Sequence, residues 1–203
     1  IDGEVVFTGT RNRPNVSAQF TISDGRVREL PYEKLTARID YESGAMAVDL
    51  RLDQAPGIWL TVGGRAPVDL LSKDSEQPMD LAVKSSPIAL GLIEGVTDVV
   101  DNVAGTMLLD FNVIGTSRDP HFAGRIDIDN AAFLVSKSGG RYKNGRAAFP
   151  LGRDRVAVEA FHLEDERGHP LETTGSLATH ELGVGDLEIN VNAKGFQVLR
   201  NEF

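Results

Sequence analysis

Four histidines, His121, His162, His169 and His180, together with the acidic residues, are the groups from which this chain could build acid–base or metal chemistry. The densest run is His162-Leu163-Glu164-Asp165-Glu166-Arg167-Gly168-His169. Its spacing matches neither a histidine pair one helical turn apart nor a zinc-ligand run, so a solvated acidic hairpin turn is expected there. Asp127-Ile128-Asp129-Asn130 opens like a calcium loop, but the glycine at loop position six and the closing Glu are missing. Strand alternation sets its two aspartates on an outer face instead. The pairs Asp2/Glu4 and Asp186/Glu188 also stand at strand period, which suits a solvated face better than an acid–base dyad. No nucleophile elbow, P-loop or dinucleotide fingerprint occurs, and Gly183-Val184-Gly185, which lacks a third glycine, reads as a turn. No catalytic, metal or cofactor residue is assigned, and an enzyme is not expected. Trp59, following Pro56-Gly57, is placed either at the rim of a groove or at a core edge.

Composition narrows the classes further. The 203 residues carry 21 Lys+Arg against 30 Asp+Glu, a formal charge of −9 that argues against binding phosphodiester backbones; no nucleic-acid partner is expected. With no cysteine, disulfides, thiolate metal sites and cysteine nucleophiles are all excluded. The longest gently apolar run, Pro87 to Ala104, is broken by Glu94, Asp98, Asp101 and Asn102, and so is no membrane span. Ile1-Asp2-Gly3-Glu4 has no basic n-region, and the chain reads as a segment of a longer protein, with any anchor or export signal outside it.

The elements that would position any site are strands. Met46, Val48, Leu50 and Leu52 alternate with Ala47, Asp49, Arg51 and Asp53; Arg125–Asp129 and Glu188–Asn192 repeat the design. Gln19–Ser23, Leu35–Tyr41, Ile58–Val62, Met79–Lys84, Met107–Val113 and Arg155–Leu163 are further strands. Turns are expected at Asp24-Gly25, Ser43-Gly44, Ala55-Pro56-Gly57, Gly139-Gly140, Asn144-Gly145 and Arg167-Gly168. The result is a meander of antiparallel strands. One stretch departs from period 2: Ile88, Leu92, Ile93, Val96, Val99, Val100 and Val103 lie at spacings of three and four. With Ser86 as N-cap and Pro87 at the first position, this predicts a short amphipathic helix over about 87–101.

The chain also repeats itself. Gly9-Thr10 and Pro14 match Gly115-Thr116 and Pro120 at one offset, and Phe20 and Ile22 then fall on Ile126 and Ile128. Tyr32 meets Tyr142, Leu60 and Gly64 meet Leu171 and Gly175, and Leu81 and Val83 meet Ile189 and Val191. The division expected is a first repeat over 1–102, including the helix, and a second over 103–203, the two forming one continuous unit. Gly3 to Gly9 is a shorter interval than Gly105 to Gly115, so the first strand of the first copy is either shorter or cut by the start of the segment.

A strand ending in Gly115-Thr116, then Pro120, then Phe122–Ala131 (Phe-Ala-Gly-Arg-Ile-Asp-Ile-Asp-Asn-Ala), preceded by Gly105–Val113, resembles the carboxy-terminal repeats of the TamB/AsmA-like family. Tyr142, Arg155–Leu163, Leu171–Leu177 and the apolar stretch Ile88–Val103 extend the likeness over most of the chain. The resemblance implies a mainly β fold: a curved antiparallel sheet folded into an elongated groove, taco-like, with two repeats joined by the short amphipathic helix. It implies a bacterial periplasmic segment of an inner-membrane-anchored envelope protein. That protein would carry phospholipid acyl chains between the inner and outer membranes, with an outer-membrane partner of the TamA type. Membrane contact would be made by regions outside this segment.

On that reading the groove is lined in the first repeat by Phe20, Ile22, Ile39, Val48, Leu50, Leu60, Val62, Leu81 and Val83. In the second it is lined by Met107, Leu109, Phe111, Val113, Ile126, Ile128, Phe133, Ile189 and Val191. Alternation by itself fits a dry sandwich or barrel as well as an open groove. A scaffold that captures client strands at its sheet edges is the alternative function.

Overall fold

Alternating apolar and charged side chains favour pairing strand to strand, and in the computed structural model the chain does so almost without interruption. The structure describes residues 1–10, 13–27, 30–42, 45–68, 77–95, 97–180 and 183–198. The first six strands are β1 (Asp2–Thr10), β2 (Arg13–Val27), β3 (Leu30–Glu42), β4 (Ala45–Ala55), β5 (Ile58–Pro67) and β6 (Pro78–Ser85). A two-residue β7 (Ile88–Ala89) and a 3₁₀ helix (Leu90–Gly95) follow. The chain then continues through β8 (Val100–Thr116), β9 (Pro120–Val135), β10 (Arg141–Gly152), β11 (Arg155–Asp165), β12 (Pro170–His180) and β13 (Gly183–Ala193). All belong to one antiparallel sheet in sequence order, with β7 continuing the line of β6 along β8. The sheet is curved and unclosed, with β1 and β13 at its two edges. It runs unbroken through residues 102 and 103, which lie inside β8.

The helix expected over about 87–101 does not form. Among the described residues there is no α-helix, and only Leu90–Gly95 are helical, as a single 3₁₀ segment. Pro87 precedes the pairing of Ile88 with Met107, and from Val100 onward the backbone pairs with β9. Gly91 and Gly95 each weaken an α-helix by about 1 kcal/mol relative to Ala, and the two ends of the stretch are held in the sheet instead.

The turns at Pro56-Gly57 and Arg167-Gly168, and the connection through Gly139-Gly140, lie between strands as expected; Ser43-Gly44 lies outside the described residues. Asp24-Gly25 and Asn144-Gly145 are not turns, because β2 and β10 run straight through them. Asp24 and Asn144 take left-handed backbone conformations, φ 53° each, as do Asn102 and Asn130. The three asparagines coincide with register shifts among β8, β9 and β10. A bulge there bends the strand and reverses which side chains face inward. Gly183-Val184-Gly185 opens β13 and is not a turn.

The left-handed or glycine-only positions recur along the chain. Gly9 and Gly115 have φ 89° and 108°, Asp24 and Asn130 have 53° and 52°, Gly57 and Gly168 have 79° and 84°, and Gly64 and Gly175 have 138° and 156°. At Gly64 a Cβ would collide with the carbonyl oxygen of Asp80, and at Gly175 with that of Glu188, so both positions need glycine for close strand approach. The accessible surface is 12890 Å², against about 9300 Å² for a compact monomer of 21.9 kDa. The surplus follows from a single sheet that is only partly covered.

Candidate functional site: a half-covered apolar face

The register lines up inward side chains in rungs perpendicular to the strands. One rung crosses the whole sheet: Gly3, Phe20, Ala37, Leu50, Val62, Val83, Phe111, Gly124, Leu151, Val156, Leu177 and Leu187. None of them is polar. A neighbouring rung joins Val5, Ala18, Ile39, Val48, Gly64, Leu81, Val113 and Phe122. Another joins Met107, Ile128, Ala147, Phe161, Thr173 and Val191. Ile22, Leu35, Leu52 and Leu60 align likewise, as do Leu109 and Ile126.

The residues expected to line a groove therefore lie on one face, in neighbouring rungs. Phe20, Ile22, Ile39, Val48, Leu50, Leu60, Val62, Leu81, Val83, Met107, Leu109, Phe111, Val113, Ile126, Ile128 and Phe133 are half-buried. Ile189 and Val191, on the edge strand β13, are 45% and 60% exposed. In a closed sandwich the central positions would be fully covered. In β8 every inward residue from Val103 to Val113 stays partly open, while the alternate ones are exposed.

Sequence reasoning left out several contributors. Val156 faces inward from one half of β11, and Phe161 and Leu163 from the other, because a register shift between Val158 and Phe161 reverses the parity. A steady period of 2 cannot reveal that. Ile93, expected on a helical stripe, and Leu90, which that stripe omitted, belong to the 3₁₀ segment, which folds over this face. With Val103, Ile128, Phe133, Ala147, Phe149, Phe161 and Leu163 they line a cavity of about 210 Å³. A wider hollow of about 330 Å³ has Asn102, Arg141, Lys143 and Glu166 in its lining and suits an apolar ligand less well.

The 3₁₀ segment is tied down at both ends. Ile88 is fully buried and Leu90 is 4% exposed. The Ala89 N–H donates to Gln54 Oε1 at 3.1 Å, and the Val103 N–H donates to Glu94 Oε1 at 2.6 Å. Ser86 is held by Trp59, whose N–H donates to Ser86 Oγ at 2.8 Å while its carbonyl accepts from the Ser86 N–H at 3.0 Å. Trp59 itself stands opposite Asp53 on the outer face, with the Arg51 guanidinium 5.6 Å from its ring centre, and so lines no groove.

After β13 the chain folds back in a comparable way. Phe196 stacks on Tyr142, which also meets Phe133, and the Tyr142 hydroxyl donates to the Val198 carbonyl at 2.9 Å. The Gln197 N–H donates to Asp165 Oδ2 at 3.1 Å. Burial would by itself raise the Asp165 pKa. Hydrogen bonds from the His169 backbone and ring, and from the Gln197 N–H, outweigh it and bring the carboxyl down to about 2. Burial, helped by that carboxylate, pushes the Tyr142 hydroxyl up, so it remains a donor at neutral pH.

The outer face is charged. Arg38–Asp40, Arg51–Asp53 and Arg125–Asp127 pair along their strands at 2.7–2.8 Å, and Arg125 also reaches Glu159 at 2.8 Å. Such exposed pairs add little stability, but they make one face of the sheet wettable. The histidines do not converge. His121 lies between Asp119 and Asp154 at 3.3 and 3.2 Å, His162 between Glu164 and Glu172, and His169 against Asp165; the His180 side chain lies outside the description. Among the described residues no group of three or more His, Asp or Glu is arranged to hold a metal ion. No described helix is long and apolar enough to cross a membrane. Comparison with protein-family models, curated proteins and solved structures gave no match.

Proposed function

We propose that this chain is a segment of a hydrophobic conduit: two copies of a six-strand unit forming a trough whose aliphatic interior shields phospholipid acyl chains while its charged exterior stays in water. The observation that carries the reading is the apolar rung from Gly3 to Leu187, continuous over the curved sheet and covered only in part. Each methylene removed from water contributes about 0.8 kcal/mol, so such a track holds an acyl chain without polar recognition, and lets it slide from rung to rung. The cavity beneath the 3₁₀ segment is a sheltered apolar stretch of that track.

The duplication is supported by the paired positive-φ positions and by β1–β6 matching β8–β13 strand for strand. It is also supported by the Ala89–Gln54 and Gln197–Asp165 hydrogen bonds, which join equivalent positions of the two copies. The resemblance to the TamB/AsmA-like family supports a bacterial periplasmic setting between the two membranes and an outer-membrane protein partner of the TamA type. A conduit needs no catalytic residue, and none is assigned.

The test is native mass spectrometry of gently purified protein together with uptake of a fluorescent phospholipid. Co-purifying phospholipid and saturable uptake are expected. Repeated absence of both overturns the conduit. The second reading is a scaffold that captures client strands by edge pairing; specific peptide binding at an edge without lipid uptake would select it.

A further inference from the structure

We infer that the 3₁₀ segment roofs a dry pocket that holds the end of one unbranched acyl chain, and that small residues particular to the second repeat make room for it. The inference deepens the conduit reading and rests on it for the source of the chain, a phospholipid tail. The room comes from a difference between the two copies. In the first, one rung joins Ile22, Leu35, Leu52 and Leu60. The repeat carries Leu52 and Leu60 onto Leu163 and Leu171, which pair in the same way. Beside Leu163, however, the second copy has Gly145, and opposite Gly145 it has Ala131. A Cβ on Gly145 would stand 2.8 Å from the Ala131 Cβ and 3.1 Å from Leu163 Cδ1. Glycine and alanine thus let the backbone and Leu163 close up, and the bulk that Ile22 and Leu35 supply in the first copy is missing beneath Leu90 and Ile93.

The roof is fastened on both sides. Ile88 and Leu90 are buried, Glu94 Oε1 accepts the Val103 N–H at 2.6 Å, and the Val99 carbonyl accepts the Ser136 N–H at 3.0 Å. The accessible lining is apolar throughout, and Arg146 and His162 border it only through carbon. A buried water needs two to four polar partners, and a headgroup needs as many, so the pocket stays dry and takes hydrocarbon. Its mouth lies on the track: Ile128, Ala147 and Phe161 belong both to the lining and to the rung from Met107 to Val191. A dry apolar cavity of about 150 Å³ holds the six carbons of benzene, so one of about 210 Å³ holds about eight carbons of a chain.

The test is calorimetric titration with a series of alkyl glucosides below their micellar concentrations. Octyl glucoside is expected to bind saturably. Each methylene up to about the eighth carbon should tighten binding about fourfold, and later ones by less. Ala131→Ile, which restores the residue type of the first copy, should weaken octyl glucoside at least about tenfold and speed release of a fluorescent phospholipid by a similar factor, with an unchanged circular dichroism spectrum. Ile93→Ala enlarges the pocket by about three carbons from the roof and should move the break to longer chains. Unsaturable octyl glucoside binding, affinity that climbs past decyl glucoside without a break, or a folded Ala131→Ile chain that binds as before overturns the pocket. If Ala131→Ile does not fold, an unmoved break in Ile93→Ala overturns it. Phospholipid uptake by a chain that fails these tests leaves the conduit standing without the pocket. Octyl glucoside binding without phospholipid uptake leaves an alkyl pocket and overturns the conduit, with the phospholipid as the source of the chain.

Discussion

Replacing Phe111 by Asp separates an open face from a closed core. Phe111 lies mid-way along the longest rung, between Val83 and Gly124, and is half-buried. Burying a whole Phe side chain is worth about 1.5–3 kcal/mol, so half-coverage puts about 1–1.5 kcal/mol at stake. On an open face the new carboxylate keeps its water, and the penalty of about 3–5 kcal/mol for an unpaired interior charge does not arise. Urea unfolding should therefore show a loss of about 1–2 kcal/mol with an unchanged slope. Ligand binding should suffer more. A hydrated carboxylate that displaces two methylenes of contact costs about 1.6 kcal/mol, which weakens uptake of a fluorescent phospholipid roughly tenfold. Leu108→Asp, on the outer face where Leu108 is already 39% exposed, should leave uptake unchanged. Failure of Phe111→Asp to fold would show a filled interior, and undiminished uptake would show that this face does not carry the ligand.

Three other outcomes follow from the same geometry. Gly175→Ala should destabilise by at least about 1 kcal/mol in urea unfolding, because a left-handed φ and the Glu188 carbonyl both oppose a Cβ; Gly64→Ala should do the same against Asp80. Ile88→Ala, at a fully buried position, should cost about 2–5 kcal/mol in thermal or urea unfolding and loosen the 3₁₀ segment over the cavity. The Asp165 carboxyl has a folded pKa of about 2, below its ordinary value of 3.8. Its contribution is complete above that ordinary value and disappears as the pH falls through about 2. The stability gap between the wild type and Asp165→Asn should thus be steady from pH 7 to pH 5 and shrink towards pH 2. A gap that did not change with acid would refute the carboxylate's role as anchor for Gln197.

What the amino-acid order determined by itself is the strand and its two faces. Met46 to Asp53 or Arg125 to Asp129 can bury one side only, and short connections such as Pro56-Gly57 leave successive strands little choice but to pair antiparallel. The pairing of Ile126 and Ile128 with Leu109 and Met107 follows from that local rule.

Tertiary structure decided the remainder. Whether an inward row is filled or left open depends on what lies across from it, and no local pattern encodes that. Val156 and Leu163 share a face only because a register shift intervenes, and Phe133 follows Ile128 inward only through the left-handed turn at Asn130. The segment from Ile88 to Val103 has helical spacing, yet Gly91 and Gly95 make the α-helix weak, and its two ends are drawn into the sheet, Ile88 and Ala89 against β8 and Val100 and Asp101 against β9.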